Sequence, residues 1–123
     1  MHHNVEWREE HKTMMQRMAC TEIRLAKDLL AYYDKLTSGS PEKRWLEEMR
    51  AMLLENMFAG ERIPKEKIPA YYTVRLGVRN LYHYTHPNAY RSTYTIVNDG
   101  NGTYCLIIDI LNHHDYNKRF GYD

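Results

Sequence analysis

Two prolines divide this chain into halves that follow different structural patterns. Pro64 and Pro69 stand close together in the segment Ile63-Pro64-Lys65-Glu66-Lys67-Ile68-Pro69. Each proline removes a backbone donor and restricts the residue before it, so a regular helix cannot cross this segment. The spacing of apolar residues predicts helices before it and strands after it, in a single domain of 123 residues.

The first half predicts two helices. From about Glu9 to Leu36 there is no proline or glycine, and apolar residues recur at helical spacing, which predicts one long helix. Ser40 followed by Pro41 then has the form of an N-cap with a first-turn proline, and Gly60 is a plausible C-cap, so residues 9–60 should form a helical hairpin. The inner face of the second helix is predicted to carry Trp45, Leu46, Met49, Met52, Leu53 and Met57.

The second half predicts a small sheet. Residues 61–80 should form an extended crossover, and residues 81–123 an antiparallel sheet with a C-terminal tail. Strands are predicted at Leu81–His86, Tyr90–Val97 and Tyr104–Leu111, the last two joined through a hairpin signal at Asp99-Gly100-Asn101-Gly102. The fold class is therefore predicted to be α+β, with the N-terminal helical hairpin packed on the antiparallel β-sheet.

Composition excludes several classes of protein. The net charge is only +1, so the charge of the whole chain does not indicate nucleic-acid binding. Residues 62–123 carry a small basic excess, with eight Lys/Arg against five Asp/Glu. No apolar run approaches the roughly 20 residues of a membrane span, and the start of the chain lacks the apolar core of a secretion signal, which predicts a cytoplasmic protein without a membrane partner. Cys20 and Cys105 each stand among core-like residues and are predicted to be buried, reduced thiols.

The stretch from Leu81 to Asp123 concentrates residues that can do chemistry. It holds four of the seven histidines and seven of the eleven tyrosines. Cleavage of RNA through its own 2′-hydroxyl needs a base, an acid and fixed positive charge, which histidine, tyrosine and arginine can supply. A structural interpretation stays open for each residue: Arg91 could pair with Asp109 or Asp115, and the C-terminal aromatics could lock the tail onto the core.

A metal site is not favoured by the sequence. His113 and His114 are neighbours that point to different sides, and no third ligand stands at a recognisable interval. We therefore expect no metal and no cofactor.

Three stretches resemble the C-terminal half of the RelE/ParE toxin superfamily. They are Asn80 to Tyr84, Tyr90 to Ile96 and Ile108 to Tyr116, and the ending Tyr116 to Tyr122 is similar to the tails of RelE-like proteins. The resemblance covers residues 63–123, and the helices only by order of elements. It implies a compact fold in which two helices pack against a curved antiparallel sheet, usually after a first strand, for which only Asn4-Val5-Glu6-Trp7 is available.

The resemblance also implies a function. RelE-like members are toxins that cleave mRNA in the ribosomal A site without a metal and are neutralised by an antitoxin encoded beside them, whereas ParE-like members inhibit DNA gyrase. The implied function is a RelE-like endoribonuclease, an mRNA interferase, with an antitoxin and ribosomal mRNA as partners; a homodimer is left open. The alternative is a non-catalytic binding module of the same fold, either a gyrase inhibitor or an inactive toxin that binds only an antitoxin.

The resemblance assigns the site residue by residue. Arg91 matches the arginine that contacts the scissile phosphate, His113 or His114 the histidine or basic residue after the last strand, and Tyr116 the tyrosine shortly beyond it. Tyr82 and Tyr84 stand at strand positions where RelE toxins place lysines. Lys65 and Lys67 of the crossover could take over the role of those lysines. The expected substrate-binding residues are Tyr82, Tyr84, Lys65, Lys67, Lys118, Arg119 and Phe120.

Overall fold

The computed structural model describes residues 19–122, which contain five strands and three α-helices. The strands are β1 (Glu22–Leu25), β2 (Glu61–Arg62), β3 (Tyr82–Thr85), β4 (Arg91–Asn98) and β5 (Thr103–Leu111). The helices are α1 (Lys27–Lys35), α2 (Pro41–Glu55) and α3 (His113–Phe120). None of the helices in this part of the chain is long and apolar enough to cross a membrane. The strand predicted at 4–7 and the helical residues predicted at 9–18 lie outside the described residues.

All five strands form one sheet in the order β1-β5-β4-β3-β2. β1 pairs with β5 in parallel, and the other neighbours are antiparallel. The predicted α+β class is confirmed, and so are the three predicted strands of the second half, whose ends differ from the predicted positions by at most one residue. The hairpin predicted between β4 and β5 closes with Gly100 at a φ of 89°, a backbone conformation that glycine adopts without strain.

The prediction of one continuous first helix is wrong. Residues Glu22–Leu25 form β1, which pairs with β5 from Glu22↔Tyr104 to Leu25↔Ile107, and the helix begins only at Lys27. Polar and apolar residues alternate from Glu22 to Leu25, which is the pattern of a half-buried strand. The sheet edge offered by β5 decides between the two structures, because pairing with it satisfies the backbone of β1.

The second helix begins as predicted and ends earlier. The Ser40 hydroxyl accepts a hydrogen bond from the Lys43 N–H at 3.1 Å, and Pro41 stands in the first turn. Asn56, rather than Gly60, is the C-cap. Of the six residues predicted on the inner face, only Met52 is exposed, at 46%, because it lies at the edge of that face.

The sheet is buried on both faces. The face toward α1 and α2 packs against Leu29, Leu46, Met49 and Leu53 of the helices. Cys20 and Cys105 lie in this core as free thiols, as predicted, with their sulfur atoms 3.8 Å apart. We call the opposite side the outer face. It is covered by the crossover and α3, whose buried or partly buried side chains there are Ile63, Ile68, Tyr71, Tyr72, Val78 and Phe120.

A β-bulge in β5 assigns its residues to the two faces. Thr93 of β4 pairs with Asp109 while the next residue, Tyr94, pairs with Ile107, so Ile108 is the extra residue. Ile107 therefore packs in the helix-side core and Ile108 in the core of the outer face. After the bulge, Asp109 lies on the outer face beside Thr93.

Gly60 marks a close approach between the crossover and the sheet. Its N–H donates to the Tyr94 hydroxyl at 3.0 Å, and that hydroxyl donates to the Met57 carbonyl at 2.8 Å. A Cβ added to Gly60 would lie 2.5 Å from the His83 carbonyl oxygen and 2.8 Å from the Tyr94 ring. The glycine is needed here because the backbone of a neighbouring strand occupies the space of a side chain.

We expect Gly60→Ala to lower the free energy of unfolding by about 1–3 kcal/mol, because the backbone of β2 or β3 must move to admit the methyl group. The measurement is urea denaturation. Gly39→Ala is the matched control, since a Cβ at Gly39 would meet no atom within 4 Å, and its effect should stay within about 0.5 kcal/mol. Equal effects of the two substitutions would contradict the packing argument.

Candidate functional site

The C-terminal residues form a helix rather than an extended tail. The Asn112 side chain caps α3 by accepting a hydrogen bond from the Asp115 N–H at 2.8 Å, and Gly121 ends it at a φ of 72°. Because α3 begins directly after β5, it folds back across the outer face. Its residue Tyr116 is only 3% exposed.

Arg91 and Tyr116 meet on this face. Arg91 is the first residue of β4, and its Cζ atom lies 4.8 Å from the centroid of the Tyr116 ring. Its Nε atom is buried and has no hydrogen-bond partner, and among residues 19–122 Arg91 makes no ion pair. The alternative in which Arg91 pairs with Asp109 or Asp115 is therefore not found among these residues.

His83 completes a cluster with these two residues. It lies on β3 opposite Thr93, and its ring centroid is 6.2 Å from that of Tyr116. Its Nε2 atom is 3.2 Å from the Glu61 carboxylate, whereas its Nδ1 atom is buried without a partner. We call His83, Arg91 and Tyr116 the Arg91 cluster.

The electrostatics of the cluster set its protonation. Burial lowers the pKa of His83 below its ordinary value; the Glu61 carboxylate opposes this shift and the Arg91 charge adds to it. Burial raises the pKa of Tyr116; the neighbouring Tyr122 adds to this shift, and the Arg91 charge opposes it. The cluster at neutral pH therefore combines a neutral imidazole, a protonated phenol and a guanidinium.

Two buried polar atoms of the Arg91 cluster have no hydrogen-bond partner among the described residues. Buried polar groups almost always have a hydrogen-bond partner, and each exception needs an explanation. Here Arg91 Nε is a donor and His83 Nδ1 can act as an acceptor, and both residues lie against Tyr116. A ligand that carries both an anionic oxygen and a hydroxyl group would have the acceptor and the donor that these two atoms lack.

A second polar group on the outer face holds α3 to the sheet. The Asp109 carboxylate accepts hydrogen bonds from the Thr93 hydroxyl at 2.7 Å and the Tyr72 hydroxyl at 2.8 Å, and lies 3.4 Å from Arg119 Nη1. Arg119 also donates to the Tyr72 hydroxyl at 3.2 Å and lies 3.8 Å above the centroid of the Tyr71 ring. Arg119, expected to bind RNA, is therefore engaged with protein groups.

The structure does not bring all the predicted residues together. Tyr82 and Tyr84 lie on the helix-side face, where Tyr82 is 7% exposed and stacks on Tyr94. His113 and His114 are exposed on the first turn of α3, and His113 Nε2 is 3.1 Å from Asn117 of the same helix. None of the contacts described for residues 19–122 joins either histidine to the Arg91 cluster.

Four residues of the predicted binding set lie near a groove beside α3. Lys67, Lys118, Arg119 and Phe120 line this groove of about 460 Å³ together with Tyr122. The Phe120 ring stacks on Tyr116 with centroids 4.3 Å apart, so the groove adjoins the Arg91 cluster. Lys65 lies nearby, exposed in the short 3-10 helix Lys65–Lys67.

Two residues of this site, His83 and Glu61, are not among the site residues predicted from the sequence. His83 stands between Tyr82 and Tyr84 in the sequence, and the alternation of side chains along a strand places it on the face opposite to theirs. Glu61 was assigned to an extended crossover and is instead the first residue of β2. The period of two along β3 is the signal that could have separated His83 from the tyrosines.

Comparison with protein-family models, with curated proteins and with solved structures finds no match for this chain. Within the described residues, no three His, Cys, Asp or Glu side chains converge in a way that could hold a metal ion.

Proposed function

We propose that this protein is a RelE-like toxin that cleaves mRNA and is neutralised by an antitoxin protein. The observation that carries the proposal is the Arg91 cluster, in which two unpartnered polar atoms lie beside a buried phenol. The order of elements supports it, because β1 stands before two helices as the resemblance to the RelE/ParE superfamily implies. The strand that stands before the two helices in the described residues is Glu22–Leu25.

We assign to Arg91 the stabilisation of the negative charge that develops in the transition state. Attack of the 2′-hydroxyl on the adjacent phosphate forms a phosphorane-like transition state whose extra charge must be stabilised. A guanidinium remains protonated at any working pH and offers donors in a fixed plane that match phosphate oxygens. Its lack of an ion-pair partner among residues 19–122 leaves it available for that contact.

His83 and Tyr116 are assigned the two proton transfers. The Glu61 carboxylate at Nε2 favours the tautomer with the proton on that nitrogen, which leaves the lone pair of Nδ1 as the base for the 2′-hydroxyl. Burial keeps Tyr116 protonated, so its phenol can give a proton to the departing 5′-oxygen. His113 and His114 receive no proton-transfer role, because they lie exposed at the start of α3.

The groove beside α3 is assigned to the flanking nucleotides. Lys67 and Lys118 provide charge for phosphates, and Phe120 and Tyr122 provide rings on which bases can stack. Because Nδ1 of His83 and Nε of Arg91 are covered, RNA must displace a side chain above them before reaction. Tyr122, 56% exposed and with its ring centroid 6.3 Å from that of Tyr116, lies at this rim.

The direct test is RNA cleavage by the purified protein. A 5′-labelled mRNA is incubated with the protein alone and in a translating extract, since RelE-like cleavage takes place on the ribosome. A substrate with a 2′-deoxy substitution at the cleaved nucleotide should resist, because the attacking hydroxyl is gone. Cleavage of the deoxy substrate at the same rate would exclude the proposed mechanism.

The acid side of the pH–rate profile should report His83. Because burial lowers its pKa, the base stays neutral and the protein active below the ordinary histidine range, and activity falls only as the pH drops through the lowered pKa. Glu61→Gln removes the charge that favours the protonated form, so the fall should move to still lower pH. Glu55→Gln, an exposed change of the same charge, should leave the profile unmoved. A Glu61→Gln profile identical to wild type would remove His83 from the base role.

A second candidate is a binding module of the same fold without catalysis. The covering of the Arg91 cluster favours it, since Tyr116 is 3% exposed and neither unpartnered atom reaches solvent. Growth arrest on expression with intact mRNA and damaged DNA would identify a gyrase inhibitor. Absence of arrest, together with binding of an antitoxin, would identify an inactive toxin.

A further inference from the structure

The crossover presents an apolar and basic surface away from the Arg91 cluster. The turn Tyr71–Arg75 is a single π-helical turn, and Val74 within it is 79% exposed, while Leu76 just beyond it is 47% exposed. Val74 is the most exposed large hydrophobic residue in the described part of the chain. Val74 and Leu76 therefore give this loop an exposed apolar surface.

A cavity opens next to these side chains. It measures about 370 Å³, and its apolar walls include Leu76, Val78, Val97 and Leu106. Its polar neighbour Asn80 is already satisfied: the side-chain oxygen accepts from the Ile96 N–H at 2.8 Å, and the amide donates to the Ile96 carbonyl at 2.9 Å. A ligand in this cavity therefore meets mainly aliphatic surface and, at the rim, Arg79.

The charged residue among those that line the cavity is Arg79, and Arg75 stands directly before the lining residue Leu76. No Asp or Glu occurs between Glu66 and Asp99, whereas Arg75 and Arg79 lie within this stretch. Neither arginine makes an ion pair among residues 19–122. The cavity thus has uncompensated cations beside it.

We infer that this surface is the docking site of an acidic protein segment that carries a large aliphatic side chain. The aliphatic side chain fills the cavity between Leu76 and Leu106, Val74 packs against the backbone of the segment, and carboxylates pair with Arg75 and Arg79. A protein partner fits better than RNA because the cavity walls are aliphatic, whereas single-stranded RNA is held on aromatic rings. The inference does not depend on RNA cleavage, since none of these residues belongs to the Arg91 cluster.

The test is a selection of short random peptides displayed on phage against the full-length protein, followed by fluorescence anisotropy of an enriched, labelled peptide. We expect the enriched peptides to combine at least two acidic residues with a leucine, isoleucine, methionine or phenylalanine. Their affinity should fall about tenfold or more with Val74→Asp and with Arg79→Glu. Leu30→Asp is the matched control, because Leu30 is 46% exposed on α1, and it should change the affinity less than about twofold.

Three results would overturn the inference: no enriched peptide, enriched peptides that are basic, or binding that survives both Val74→Asp and Arg79→Glu. A short oligouridine that binds with dependence on Arg75 and Arg79 but not on Val74 would instead identify a nucleic-acid surface. Val74 and Arg79 are both exposed, so the variants should fold, which thermal denaturation can check. RNA cleavage is measured on the same variants and should be unchanged, so that failure of docking and failure of the proposed nuclease are distinguishable.

Discussion

Arg91→Ala is expected to reduce RNA cleavage by about 10²- to 10³-fold and to relieve growth arrest on expression. The expected size follows from the loss of one preorganised group that stabilises transition-state charge. Arg91 lies against Tyr116 and has no carboxylate partner in the described part of the chain, so its positive charge is not already neutralised. The rate is measured with a 5′-labelled mRNA at saturating protein.

Two further variants make this result specific. Arg91→Lys keeps the charge but loses the planar set of donors, so only part of the activity should return. Arg44→Ala removes an exposed arginine of α2, far along the chain from the cluster, and should leave the rate unchanged. Cleavage by Arg91→Ala at the wild-type rate would remove the Arg91 cluster from the reaction.

Asp109→Ala is expected to lower the free energy of unfolding by about 3–5 kcal/mol, the range for breaking a buried ion pair by removing one partner. The substitution leaves the hydroxyls of Thr93 and Tyr72, both fully buried residues, without their acceptor. It also leaves Arg119 without a counter-charge. The Arg119 side chain is 29% exposed and can partly turn to water, so we expect a value near the lower end.

Urea denaturation of Asp109→Ala beside Asp34→Ala provides the measurement. Asp34 is exposed on α1, and its removal should change the free energy of unfolding by no more than about 0.5 kcal/mol. A loss below about 1 kcal/mol for Asp109→Ala would mean that water replaces the carboxylate without cost, contrary to the burial of its partners.

The parts of the fold that depend on local signals could be predicted from the sequence. The β4–β5 hairpin carries its turn residues between two apolar strands, and the Ser40-Pro41 pair marks the start of α2. β1 could not be predicted in the same way, because its partner β5 lies some eighty residues later. The apolar residues of this stretch suit both a helix and a strand, and pairing with the distant edge strand β5 determines which of the two structures it forms.

Part of the candidate site could likewise be predicted from the sequence, and part of it could not. Arg91 and Tyr116 could be named as candidates from the sequence only through the resemblance to the RelE/ParE superfamily, whose motif they match on the second strand of a hairpin and after the last strand. The contact of His83 with them could not be predicted, because it depends on the register of β3 and on the return of α3 across the outer face. The same register turns Tyr82 and Tyr84 toward the opposite core.

The extra residue in β5 determines which face of the sheet each later residue of that strand occupies. Because Ile108 is an extra residue, the alternation of side chains between the two faces of β5 is reversed after it. The positions that face the helix-side core are odd-numbered before Ile108 and even-numbered after it. If the side chains of β5 alternated regularly through Ile108 without a bulge, Asp109 would face the helix-side core instead of Thr93 and Tyr72. Substitutions in β5 can therefore be judged one position at a time, whereas an insertion after Asp109 would move each following position to the opposite face, up to the cap of α3.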